Sequence, residues 1–221
     1  MNFEEAVAEY VEDHIEQLED DYQWKFSLES LPVEVSLQDE SWLKKNLYLR
    51  RALHENWTGG TPEQRLKITS WYIANWGGVK ANRQEKLALY ASSSPEHLIE
   101  RKTAGIASWS KALSIVDPTR FAIFDARVSS SLNSIQLIKD VLNPRYFPDL
   151  PSRNKTIISA ATTAKLTFRK NWEVASKEHF YRDCNTLFGK IAAKIGGGVT
   201  LQMVEMVLFS RAELLALEWN N

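Results

Sequence analysis

The chain has 221 residues, 44% hydrophobic and 25% charged, with a net charge of −1. That suits one globular domain or two small lobes and is long enough to bury a core. A single cysteine, Cys184, excludes an intramolecular disulfide and any cysteine-cluster metal site. The histidines His14, His54, His97 and His179 show no metal-ligand spacing, and the apolar stretches are too short and charge-interrupted to span a bilayer. No metal, cofactor or membrane partner is expected.

The balanced net charge hides a division. Residues 1–40 hold thirteen acidic residues against one basic residue, Lys25, a net of −12, while the remainder holds 15 acidic and 26 basic residues, a net of +11. A body this basic suits a polyanion, with the acidic leader packed beside it, although solvated helix faces of opposite sign explain the same numbers. The leader begins acidic where a secretory signal is basic and then apolar, so a cytoplasmic protein is expected.

In chain order the signals are helical. "FEEAVAEYVEDHIEQLEDDY" places Phe3, Val7, Tyr10, Val11, Ile15 and Leu18 at helical spacing. After a break near Pro32, "WLKKNLYLRRALHENW" continues the pattern. "TPEQRLKITSWYIANW" begins with Thr61 as cap, Pro62 at the first helical position and Gln64 completing a capping box, and it stops at Gly77-Gly78. "SPEHLIERK" repeats the start signal. The segment "NPRYFPDLPSRN" reads as a surface loop between two helical halves. Helices follow over 151–219, with Gly196–Gly198 as a hinge. Strand candidates such as "LPVEVSL" are few, so the fold predicted is all-α. It forms one helical domain with an acidic leader over 1–40, a central region over 95–139 and C-terminal helices.

The central region carries the candidate chemistry. On a helix over 106–117, Ile106, Trp109, Leu113 and Val116 form one buried stripe. Lys111 falls on the opposite side among Ala107, Ser108 and Ser114, in a small-residue clearing open to another molecule. Asp125 ends the apolar crossing "FAIF" and precedes the stripe Val128, Leu132, Ile135, where an aspartate is an N-cap. A surface lysine and a helix cap account for both residues without any chemistry. Trp71, Asn75 and Trp76 sit close on one helix end, where aromatics stack on an extruded base and asparagine reads its edge, or where tryptophans simply fill a core.

"AGIASWSK", "DPTRFAIFD" and the run Phe124-Asp125-Ala126-Arg127-Val128 resemble the hairpin, loop and catalytic aspartate of helix-hairpin-helix DNA glycosylases. Within them the chain looks like bacterial 8-oxoguanine-glycosylase-like proteins, some of them associated with defence against phage. The resemblance covers residues 98–133, with weaker likeness in "WYIANWGGV" and "VEMVLFSRA". Ala107 stands where a second hairpin glycine is usual, and the lysine-to-aspartate spacing of fourteen is shorter than in common members.

The resemblance implies a two-lobed helical bundle with a helix-hairpin-helix element, acting as a monomer on duplex DNA that carries a modified or damaged base. It implies Lys111 as nucleophile, with Lys102 as its competitor, and Asp125 as stabiliser of positive charge on the sugar. Lys102, Ser108, Ser110 and Arg127 would contact DNA. A glycosylase using Asp125 alone, and a non-catalytic DNA-binding module, remain the rival readings.

Overall fold

The computed structural model describes residues 1–37 and 40–220. Eleven helices account for most of them: α1 Phe3–His14, α2 Leu18–Asp21, α3 Trp42–Gly59, α4 Pro62–Trp71, α5 Gln84–Ser92, α6 Pro95–Ile99, α7 Ile106–Val116, α8 Ala126–Ile138, α9 Lys155–Thr167, α10 Phe180–Ile195 and α11 Leu201–Asn220. A π-helical turn, Tyr72–Trp76, continues α4, and the two-residue strands β1 Arg145–Tyr146 and β2 Glu173–Val174 pair in parallel. The all-α expectation holds. "LPVEVSL" forms no strand.

Local chemistry sets the starts of several helices. Thr61 Oγ1 accepts from Gln64 N at 3.4 Å while Gln64 Oε1 accepts from Thr61 N at 2.8 Å, the reciprocal box read from the sequence. Asn2 and Glu5 build a second such box on α1, which the sequence reading passed over. Helix α4 does not stop at its last α-helical residue. The π turn follows, and Gly77 N closes it on Tyr72 O at 2.9 Å.

The main core gathers residues from α1, α5, α7, α8, α10 and α11, and α8 lies along α11 in the most extensive helix contact. A second core joins Leu49 and Leu53 of α3 to Ile68, Trp71, Tyr72 and Trp76, with Ile115 and Ile123 completing it. The segment 143–154 is not the plain surface loop expected from its prolines. Tyr146 and Phe147 are buried, and Asn133 and Gln136 of α8 hydrogen-bond the backbone of Phe147 and Arg145. Helices before and after it share one core, so the prolines shape a strap across α8 rather than a boundary.

The acidic leader packs through Ala6, Val7, Tyr10 and Val11. Its carboxylates meet cations of the body: Glu9 with Lys139 at 2.6 Å, Glu12 with Lys194 at 2.5 Å, Asp21 with Arg211 at 2.5 Å and Glu19 with Lys44 at 3.1 Å. Exposed pairs of this kind contribute only about 0–1 kcal/mol each. The apolar face therefore holds α1 in place, and the pairs match part of the opposite charge of leader and body.

Candidate active site around Lys111 and Asp125

Helix α7 is buried on all sides, not along one stripe. Ser108, Ser110, Lys111 and Ser114 are as hidden as Ile106 and Trp109. The small residues that suggested an open clearing are the places where other segments approach. Asn82 donates to Ser108 Oγ at 2.9 Å, and Gln202 of α11 donates to the Ser114 carbonyl at 2.9 Å. The sequence expectation of an exposed Lys111 is thus corrected: only 4% of the residue is accessible.

Ser110 sets the register between lysine and aspartate. Its Oγ accepts from Phe124 N at 3.0 Å and donates to Phe124 O at 3.3 Å. The crossing Phe121–Phe124 is held from the other side by α10, where Asn185 Oδ1 accepts from Ala122 N at 2.7 Å and Tyr181 donates to Ala122 O at 2.9 Å. With Ser110 fixed to Phe124, the next residue on each strand of the clamp is Lys111 and Asp125.

Asp125 is half-buried and caps α8. Its Oδ1 accepts from Arg127 N at 2.9 Å and from Val128 N at 3.2 Å. Both bonds converge on Oδ1, so Oδ2 takes no part in the cap. Lys111 Nζ donates to Ala107 O at 2.7 Å. Burial pushes its pKa below the ordinary lysine value. Arg50 works in the same direction, and Asp125 and Glu205 oppose.

Gly77 lies over the lysine. A Cβ there would stand 2.6 Å from Lys111 Cε and 2.9 Å from Ile73 O, so any larger residue forces the lysine or the turn to shift. Gly78 follows with φ of +65°, and Arg153 Nη2 donates to its carbonyl at 3.2 Å. Gly77→Ala is expected to destabilise the protein by about 1–3 kcal/mol, a typical cost of overpacking. Combining it with Lys111→Ala should recover only the part of that loss due to the lysine in thermal unfolding, because the contact with the Ile73 carbonyl remains.

Behind Lys111 lies a charge pair that the sequence reading missed. Arg50 Nη1 donates to Glu205 Oε2 at 2.9 Å, with both side chains 2% exposed. Burial raises the Glu205 carboxyl, and Arg50 restrains that rise. Burial also pushes the Tyr72 hydroxyl up to about 12 against the pull of Arg50. The sequence held a signal for Glu205, one carboxylate within the apolar run "QMVEMVLF", but nothing in it names a partner 155 residues away.

The other expected residues are placed differently from one another. Trp71 and Trp76 belong to the second core, where Trp71 Nε1 donates to Glu29 O at 3.1 Å and Trp76 Nε1 to Asn46 Oδ1 at 2.7 Å. Asn75 between them is exposed, so the three do not line one pocket. Ser108 and Ser110 are buried and engaged, which removes them as surface phosphate contacts. Arg127 donates to Glu213 at 2.6 Å and lies 5.1 Å over the Phe209 ring. Lys102 is exposed, holds φ of +56° in the turn between α6 and α7, and pairs with Glu178 at 2.5 Å.

No family model, curated protein or solved structure matches this chain.

Elsewhere, a cleft of about 600 Å³ opens between the start of α1, β2 and α10, lined by Asn2, Arg145, Asp183 and Cys184 among others. It contains neither Lys111 nor Asp125. Burial raises the Cys184 thiol, which leaves it a structural side chain. Among the described residues no group of three or more metal-ligating side chains is gathered, and no helix is long and apolar enough to cross a membrane.

Proposed function

We infer that the chain is a DNA glycosylase with lyase activity, excising an oxidised or hypermodified base from duplex DNA, with defence against phage carrying modified DNA as its setting. The observation that carries this reading is the enclosed amine of Lys111, its pKa depressed by burial, next along the Ser110–Phe124 clamp to a carboxylate with a free oxygen. An amine nucleophile must be neutral to attack, and desolvation favours that form. An ordinary surface lysine has no such preparation.

In this reading the short α6, the turn through Lys102 and Gly105, and α7 form the hairpin of a two-lobed glycosylase that acts as a cytoplasmic monomer. Exposed Lys80, Arg83 and Arg153 supply phosphate contacts. Asn82 on Ser108 sets the first two against the start of α7, and Arg153 reaches the turn that covers Lys111. The target nucleotide leaves the stack, since its sugar is unreachable within a duplex.

Lys111 Nζ attacks C1′, and the base departs with the electrons of the glycosidic bond. Asp125 Oδ2 faces the positive charge that builds on the sugar. Opening of the sugar ring gives a lysine–C1′ imine, and loss of a C2′ proton then expels the 3′ phosphate. The Gly77–Gly78 turn covers the amine, so DNA binding must be accompanied by its displacement.

Borohydride reduction of the protein with a duplex containing one abasic site tests the reading without knowledge of the base. A covalent complex should form with the wild type and with Lys102→Gln and be lost with Lys111→Gln. Its rate should rise with pH to a plateau reached below the ordinary lysine pKa. Loss in Lys102→Gln alone transfers the role to Lys102, and no complex at all removes the lysine mechanism.

A further inference from the structure

Arg50 uses only part of its donor set. Nη1 serves Glu205, but Nε and Nη2 are buried with no hydrogen bond of good geometry, and the equally buried Tyr72 hydroxyl has only loose approaches to Arg50 and Ser114. Arg50 is 1% exposed and Tyr72 fully enclosed. Buried donors left this poorly satisfied are uncommon in native proteins. Nε and Nη2 form the side-on fork of a guanidinium, with two parallel N–H groups that match two neighbouring acceptors on one planar group. Glu205 fixes the guanidinium plane from the far side. Trp76 supports it at 5.3 Å, and Tyr72 stacks on the same indole at 4.3 Å.

We propose that Arg50 and Tyr72 form the inner wall of the site and hold a flipped base by two adjacent acceptors, either O2 and N3 of a cytosine or O6 and N7 of an unoxidised guanine. This rests on the glycosylase reading above and narrows its substrate class. In 8-oxoguanine N7 carries hydrogen, so the fork meets a donor where it needs an acceptor. Thymine places N3–H between its carbonyls, and adenine sets an amino group beside N7. A substituent at C5 of cytosine leaves O2 and N3 untouched, so a hypermodified cytosine fits the fork as well as the plain base. The base reaches the wall when the Gly77–Gly78 turn is displaced.

Fluorescence anisotropy with the full chain tests this directly. The duplexes each carry one unpaired central nucleotide on a 2′-fluorinated sugar, which slows base release. The bases are cytosine, 3-deazacytosine, guanine, 7-deazaguanine and 8-oxoguanine. One of the two deaza replacements should weaken binding about tenfold or more, the scale of a bidentate base contact, and the arm that responds names the base. The 8-oxoguanine duplex should bind no more tightly than the guanine duplex.

Arg50→Lys keeps the charge but not the fork and should erase the difference. Tyr72→Phe should weaken the responsive duplex several-fold with little change in Tm, because the hydroxyl makes no hydrogen bond of good geometry within the protein. The proposal is overturned if neither deaza base matters or if 8-oxoguanine binds tightest. A lower Tm for Tyr72→Phe with unchanged binding, or no binding to any duplex, overturns it equally. Borohydride trapping on an abasic duplex involves no base, so the glycosylase reading stands or falls separately.

Discussion

Replacing Arg50 by Met is expected to lower the free energy of unfolding by about 3–5 kcal/mol, the usual cost of leaving one member of a buried ion pair alone. For a chain of this size that is a Tm shift of roughly 6–20 °C. Glu205 would remain enclosed in α11 without the guanidinium that restrains its pKa. The sign of the pH dependence follows from the same burial. A carboxyl whose folded pKa is raised contributes its full stability below the unfolded value and loses it as pH rises through the folded value. The deficit of Arg50→Met should therefore be larger at pH 8 than at pH 5. Urea unfolding at both pH values measures it. The double variant Arg50→Met, Glu205→Leu should recover most of the loss, since an apolar pair of similar volume removes the buried charge altogether.

Asp125→Asn is expected to leave stability within about 0.5 kcal/mol of wild type, because Asn and Asp are near-equal N-caps. The amide oxygen replaces Oδ1 as acceptor for Arg127 N and Val128 N. Base release should nevertheless fall about 100- to 1,000-fold, the cost of removing one group aimed at developing charge. Asp125→Ala should lose the same activity and a further ~1 kcal/mol of stability. Single-turnover release of a modified base, read beside thermal unfolding of the three proteins, separates the two roles. Wild-type release by the Asn variant would reduce Asp125 to a cap.

What the sequence made legible was local. The Thr61–Gln64 box and the Asp125 cap each involve partners two or three residues away, and both are present as expected. The burial of Lys111 was hidden because a helical wheel assumes one buried stripe, and α7 is enclosed by α3, α5, the π turn and α11 together. Trp71 and Trp76 looked alike on the page. Their roles are set by acceptors at Glu29 and Asn46, 42 and 30 residues away, which no local pattern reveals. The Arg50–Glu205 pair spans 155 residues. Charge counting saw the acidic leader and the basic body, but only packing could tell that Lys139, Lys194 and Arg211 are answered by Glu9, Glu12 and Asp21.

The hydroxyl of Ser110 works as a ruler. Two bonds to Phe124 count off the chain between α7 and α8, and the pair beyond them is aligned only if that count is kept. One inserted residue in the extended crossing would advance the chain by about 3.3 Å and turn the following side chain to the opposite face. Helix α8 would still be capped, but by a residue out of register with Ser110. The proposed mechanism thus depends on a length in the chain: Ser-Lys, then a segment of fixed extent, then Phe-Asp.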